Sequence, residues 1–282
     1  MSQATPHIVT DSTSDLPPEL ARRIDITVIP CQIHFRNETY REGVDITRPE
    51  LYQRLRAGDL ARTSQPAVGV FAESYRELLR DGRPIVSIHL ASRLSGVYST
   101  AWSAAQEVDP ERICVVDTQQ VSMCSGWVAV HAAEAAQEGG SSADILRLVR
   151  SMLPRLRLYA VIDDLRFLQR SGRVSWAGSL LGNLLTIKPI VVLKEGRVDL
   201  AEKARSLTRG LDRVLSLASS PGPLEHVAVL HAGAPQAAGY LEERMARIVP
   251  REQMVVCEAG GIITAHAGPG AAGLACLYAR GA

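Results

Sequence analysis

The chain has 282 residues, 46% of them hydrophobic, enough to bury more core than one compact domain usually needs, so two domains are expected. Its formal net charge of +1, with acids and bases interspersed, offers no surface suited to nucleic acid, and no apolar run reaches the roughly 18–20 residues that span a membrane. The opening "MSQATPHIVTDST" lacks the regions of a signal peptide, and the odd set Cys31, Cys114, Cys124, Cys257 and Cys276 contains no CxxC pair; a cytoplasmic protein with reduced core cysteines and no metal is expected.

"HIVTD" is strand-like, and "DITVIPCQIHF" reads as a second, longer strand. "ITRPELYQRLRAG" predicts a helix with Thr47 as cap, Pro49 in the first turn and Glu50 completing a capping box. "TSQPAVGVFAESYRELLRDG" predicts a turn and then a proline-started helix ending at Gly82, with Thr63 and Ser64 at its free N-terminus. "PIVSIHL" and "RICVVDT" are apolar without alternation, as parallel strands covered on both faces are, and a helix follows each.

Near Pro154 the pattern changes. "LRLYAVID" predicts a strand, two helical stretches run through "DLRFLQRSGRVSWAGSLLGNLL", and "IKPIVVLKEGRVDLAEKARS" predicts a hairpin turning at Glu195 and Gly196. Helix, strand, helix and strand complete the tail. The expected fold class is α/β with two domains: a parallel-sheet domain over residues 1–155 and a mixed-sheet domain over 156–282. Ligand sites of such a parallel sheet lie beyond its carboxyl-terminal edge.

"SIHLASRLSGVYSTA" (87–101) takes a buried strand through a serine-rich turn into a helix. A nucleophile elbow would read GxSxG, but Arg93 and Val97 fill both glycine positions around Ser95. A phosphate loop is absent, and the one GxGxxG match, Gly268, Gly270 and Gly273 in "HAGPGAAG", is followed by only the nine residues from Leu274 to Ala282, so it reads as a tight turn between strands. What survives is a helix N-terminus at Ser95, Gly96 and Val97, where unpaired amides and the macrodipole suit an anion; Ser95 as a plain helix cap is the competing reading. In "TDSTSDL", Asp11, Ser12 and Asp15 could be a metal or phosphate site, but Asp15 ahead of "LPPEL" fits a helix cap, and the structural role is preferred.

"VTDSTSDL" (9–16), "TSQP" (63–66), "SRLSGVYSTA" (92–101), "VVDT" (115–118), "LRFLQRSGRVS" (165–175), "IKPI" (187–190) and "HAGPGA" (266–271) together resemble the DegV family, in its motif order and over nearly the whole chain. The resemblance implies a two-domain α/β protein that holds one long-chain fatty acid between its domains and no cofactor. It also implies a carrier rather than an enzyme: a separate ATP-dependent fatty acid kinase phosphorylates the carboxylate, and the product moves toward phospholipid synthesis, with transient contact to a membrane surface. Carried over by motif, Thr63 and Ser95 would bond the carboxylate, Gly96 would add an amide, and His266 would orient the Thr63 hydroxyl. Val97 stands where a threonine is common and Ala91 where a serine is frequent; neither removes a donor.

The apolar wall for the tail is expected from Leu180, Leu181, Leu184, Leu185 and Ile187, which are too many for one narrow helix face, ordinary interdomain core being the competing reading; Gly178 and Gly182 would let this stretch shift and gate the tail. Arg173, Lys203 and Arg205, with Lys194, could meet the kinase or the emerging phosphate, although as bare sequence solvated charge is the preferred reading. Two rival functions remain: a serine esterase using Ser95 as nucleophile and His266 as base, and a docking module whose lipid-filled cavity is incidental.

Overall fold

Three sheets organise residues 5–179 and 187–281, which the computed structural model describes. The first is fully parallel, in the order β2 (Ile26–Ile29), β1 (His7–Asp11), β6 (Ile85–His89), β7 (Ile113–Asp117). Its central strands are apolar on successive residues because both faces are covered. Ile8, Val86 and Ile88 pack on one side against α5 (Met123–Gln137). Val9 and Ile85 pack on the other against α3 (Val68–Leu78) and α4 (Val97–Val108).

The second sheet has six strands in the order β10 (Arg197–Ala204), β9 (Lys188–Lys194), β8 (Leu156–Val161), β13 (Ala272–Tyr278), β11 (Leu224–His231), β12 (Met254–Glu258). All its pairings are antiparallel except β11 with β12, which makes it a mixed sheet. α9 (Leu207–Ser219) and α10 (Pro235–Met245) cover one face with aliphatic side chains such as Leu211, Val214 and Leu241. Glu195 and Gly196, both at positive φ, form the hairpin turn, and the Gly196 amide donates to the Gln119 carbonyl at 2.8 Å, docking the tip on the loop after β7.

α5 lies between the two sheets. Its sequence, "MCSGWVAVHAAEAAQ", is small or apolar around most of its circumference, and eleven of its residues are buried. It joins Ile8 and Val86 of the parallel sheet to Leu158, Leu193 and Leu277 of the mixed sheet in one core. A helix without a polar face is stable only when enclosed in this way.

The "DITVIPCQIHF" stretch is not one strand. β2 ends at Ile29, and β3 (Gln32–Phe35) begins a separate antiparallel sheet with β4 (Glu38–Arg41) and β5 (Ala61–Ser64), in the order β4, β3, β5. Pro30 lies between β2 and β3, with no amide proton to extend a ladder. α2 (Arg48–Arg56) carries the expected Thr47–Glu50 capping box. α3 starts two residues after the expected Pro66, at Val68 with Ala67 as cap, so Thr63 and Ser64 end a strand rather than open a helix.

Two further expectations are corrected. Asp15 does not cap α1 (Pro18–Arg23), whose cap position is Pro17. Its carboxylate instead accepts from the Ser122 hydroxyl and from the Gly260 amide at 2.7 Å. "GIITAHA" is a helix, α11 (Gly261–Ala267), so the glycine-rich turn joins a helix to β13 rather than two strands. A Cβ on Gly268 would meet the Phe167 ring at 2.8 Å, and one on Gly273 the Tyr159 carbonyl at 2.2 Å; packing accounts for both glycines. α6 (Ser142–Met152) leads into β8, after which α7 (Leu165–Ser171) and α8 (Ser175–Ser179) follow.

Candidate functional site

A cleft encloses about 1260 Å³, its open mouth included, between the carboxyl-terminal edge of the parallel sheet, α7, α11 and the face of the mixed sheet. Thr63, Ser95, Gly96 and His266 all line it. Thr63 arrives from the end of β5, Ser95 and Gly96 from the turn between β6 and α4, and His266 from the last turn of α11.

Gly96 is the cap residue of α4 and supplies no side-chain bond. Ser95 makes only a long contact, its Oγ accepting from the Val97 amide at 3.4 Å, so it is not a well-formed cap. The first amides of this twelve-residue helix therefore lack a well-formed side-chain cap, at a turn whose Gly96 and Val97 line the cleft and where the helix dipole adds positive partial charge. A Cβ at Gly96 would sit 3.0 Å from the Gln65 side chain; glycine keeps the backbone open to a close approach.

The Thr63 Oγ1 and His266 Nε2 lie 2.8 Å apart. Burial, reinforced by the Arg173 guanidinium, lowers His266 to about 4, so the ring is neutral near pH 7. Its Nδ1 is buried without a partner. Placing the proton on Nε2 leaves an unused lone pair at Nδ1 rather than an orphaned N–H, the cheaper arrangement. Nε2–H then donates to Thr63, whose own hydroxyl proton is free to point into the cleft. Ser64 is differently committed: its Oγ donates to Gln32 Oε1 at 3.2 Å and lies 2.8 Å from His34 Nε2.

α11 is itself held from across the cleft. Its first amides meet two carboxylates of the amino-terminal half: Gly260 N–H donates to Asp15, and Ile262 N–H donates to Glu42 at 3.0 Å. Burial pushes Asp15 up to about 6 and Glu42 up to about 7, and their mutual repulsion adds to the Glu42 shift. These acids do structural work at a helix start, which agrees with the structural role expected for "TDSTSDL".

The cleft's far wall is aliphatic. Leu158, Ala160 and Ile162 project at period two from β8 and its end, joined by Val191 and Leu193 of β9 and Leu230 of β11. This alternation was the signal available in the sequence for the wall. Leu180, Leu181, Leu184 and Leu185 lie outside the described residues, as does Gly182, whereas Ile187 is half-buried and is not among the residues lining the cleft. Ser122 also lines the cleft; it is held at φ 53 at the start of α5 and reaches Asp15. Nothing in its local sequence marked it.

Arg173 lies at the mouth and is the one arginine or lysine among the described lining residues; its Nη1 donates to the Ser171 carbonyl at 2.6 Å. Lys203 and Arg205 are exposed at the end of β10 and do not line the cleft. The esterase geometry is not assembled. The His266 ring is spent on Thr63, and among the described residues its Nδ1 meets no carboxylate that could complete a triad with Ser95.

A serine–histidine–aspartate line does exist, but under the parallel sheet. Tyr75 donates to Ser87 Oγ at 2.8 Å, Ser87 lies 2.7 Å from His89 Nε2, and His89 Nδ1 lies 2.8 Å from Asp11, which also accepts from the Thr13 amide at 3.0 Å. Ser87 and His89 are fully buried and do not line the cleft. With its hydroxyl enclosed and already accepting from tyrosine, Ser87 has no path to a substrate.

Among the described residues no helix is long and apolar enough to cross a membrane. A family model described as "Uncharacterised protein, DegV family" matches residues 5–279. A DegV domain-containing protein of Staphylococcus aureus is 35% identical over 273 residues, 96% of this chain and 98% of that one. Protein DegV of Bacillus subtilis is 34% identical over 272 residues, 95% and 97% of the two chains. Among solved structures, a DegV family protein from Thermus thermophilus, described for its fatty acid binding, superposes with a TM-score of 0.88 at 34% identity, covering 99% of this chain and 100% of its own. DegV from Bacillus subtilis, described as a fatty acid binding protein, superposes with a TM-score of 0.85 at 33% identity, covering 98% and 100%. The chain belongs to the DegV family.

Proposed function

We propose that this DegV family protein is a carrier that holds one long-chain fatty acid in the cleft and presents its carboxylate to a separate ATP-dependent fatty acid kinase. Residues 1–155 carry the headgroup site and residues 156–282 close over the tail. The observation that carries the reading is the cleft's polarity: hydroxyls and open helix amides gather at one end, and the mixed sheet's aliphatic face forms the other. The fatty acid binding described for the Thermus and Bacillus relatives supports it.

The energetics favour such a cargo. A saturated tail of about 15 methylenes contributes roughly 12 kcal/mol of gross transfer energy, before the entropy lost on binding. The polar end need only keep the carboxylate satisfied, since a buried unpaired charge costs several kcal/mol. Thr63 and Ser95 donate hydroxyl protons, the Gly96 amide adds a third donor, and His266 positions Thr63. Arg173, at the mouth, is placed to accompany the charge as it leaves, and Lys203 and Arg205 belong to the surface offered to the kinase.

Native mass spectrometry of purified protein, followed by denaturation and identification of the released compound, tests the reading. One fatty acid per chain is expected, reduced in Thr63→Val and Ser95→Ala. A folded protein that neither carries nor takes up fatty acid would overturn it. For the partner step, Arg173→Ala is expected to retain the acid while losing transfer from a cognate kinase and ATP.

A further inference from the structure

At the edge where α5 meets β11, a second group of side chains converges that the cleft does not use. His131 of α5 and Glu225 and His226 of β11 each place one donor atom within 4.8 Å of the other two. None of the three lines the cleft. Adjacent residues of a regular strand face opposite sides of its sheet, so Glu225 and His226 would normally point apart. β11 is bulged here: Leu224 pairs with Tyr278 and His226 with Leu277, leaving Glu225 as an extra residue. A bulge of this kind re-aims side chains.

Each donor is also held from behind. Glu134, one turn along α5, lies 3.2 Å from His131 Nδ1, which fixes the proton there and turns the lone pair to Nε2. That Nε2 is buried and has no hydrogen-bond partner. Arg155 donates to Glu225 Oε2 at 2.5 Å and to the Tyr278 carbonyl at 2.7 Å, orienting the carboxylate while leaving its other oxygen available. His226 stacks on Trp127, ring centroids 4.9 Å apart. A carboxylate behind a ligating histidine is the usual outer shell of a protein metal site.

We propose that His131, Glu225 and His226 form a binding site for a divalent transition-metal ion of the zinc class, joining α5 to the mixed sheet at the molecule's edge. Two imidazoles and one carboxylate suit zinc or cobalt, whereas calcium and magnesium take oxygen ligands. Zinc–nitrogen bonds of about 2.1 Å imply donor separations of about 3.4 Å. Donors that lie within 4.8 Å of one another must therefore close by up to about 1.4 Å, which side-chain rotation of partly exposed residues provides. Three protein ligands leave a fourth position for water. The site's place outside the cleft makes its role structural: the ion would tie the central helix to one of the two sheets it separates.

Equilibrium dialysis of the untagged full chain against Zn²⁺, with Co²⁺ absorption as a second probe, tests the assignment. One equivalent of Zn²⁺ is expected, with a rise in melting temperature that EDTA reverses. Binding is expected to fall at least tenfold in His131→Gln and in His226→Gln. Glu225→Gln, which keeps the side chain's shape, is the variant for a fold that tolerates neither histidine change; it too is expected to weaken Zn²⁺ while melting like the wild type in EDTA. Glu134→Gln, on an exposed residue that would not touch the ion, is expected to weaken Zn²⁺ about 10- to 100-fold. Co²⁺ is expected to quench the Trp127 fluorescence of the wild type and not of His226→Gln. Absence of a saturable equivalent in the wild type, or undiminished Zn²⁺ binding in both histidine variants, would overturn the site.

Discussion

Two hydroxyl–imidazole pairs sit on either side of the parallel sheet's carboxyl-terminal edge, and they are finished differently. Under the sheet, Tyr75, Ser87, His89, Asp11 and Thr13 form a line in which each ring nitrogen and the serine hydroxyl has a partner. At the cleft, Thr63 and His266 form a single bond and stop: among the described residues Nδ1 has no partner and the threonine proton has no acceptor. The enclosed line resembles a catalytic triad and is structural, whereas the incomplete pair faces open space. Residue identity does not separate the two; unspent hydrogen-bonding capacity beside a cavity does.

The sharpest way to break that contrast is to cut the enclosed line. His89→Ala would leave the Asp11 carboxylate buried without its imidazole, and a loss of about 3–5 kcal/mol is expected in urea unfolding. His266→Ala, at the cleft, is expected to cost far less by the same measurement. Next in size is affinity. Thr63→Val and Ser95→Ala are each expected to weaken fatty acid binding by about 1–3 kcal/mol, read by calorimetry with a defined acid. If His266 works through the threonine hydroxyl, as proposed, adding His266→Ala to Thr63→Val should lose little more; full additivity would sink the positioning role.

A third test uses pH. Asp15 and Glu42 have folded-state values raised to about 6 and about 7 from ordinary values of 3.8 and 4.5. Their contribution to stability is therefore complete below the ordinary values and is lost as pH rises through 6 and 7. His266, depressed by burial, acts in the opposite sense, losing its contribution as pH falls toward about 4, so the wild-type profile alone does not isolate the acids. The difference between Glu42→Gln and wild type does. Its melting temperature relative to wild type is expected to climb between pH 5 and pH 8, and a flat difference would refute the role given to Glu42. The smallest effect belongs to Ser64→Ala. With its hydroxyl committed to Gln32 and His34, it is expected to change affinity by less than about threefold although it lines the same cleft.

The sequence made the alternating strands and helices, the Thr47 capping box and the Glu195–Gly196 hairpin legible, because each is written in local pattern or turn chemistry. It failed where distant groups decide. "GIITAHA" has a β-branched run that favours a strand, yet its first amides are met by Asp15 and Glu42, more than 200 residues away, and it is a helix. The "DITVIPCQIHF" run hides a change of sheet because both halves are apolar. The residues of the serine turn were identifiable from motif and turn chemistry, and the structure brings Ser95 and Gly96 to one cleft with Thr63 and His266. The cleft's aliphatic wall on β8 is harder to read, because the alternation of Leu158, Ala160 and Ile162 is sparser than the dense leucine run of residues 180–185.

α5 packs on both sheets at once, with Val86 and Leu277 in the same core. The two halves of the molecule thus share a load-carrying partition, and prising them apart like jaws would wet much of the interior, at an energetic penalty approaching that of unfolding. On the proposed carrier reading, a fatty acid would therefore slip in and out past the rim, through small local loosening. Its residence time would then report on that rim rather than on the strength of the union between the halves.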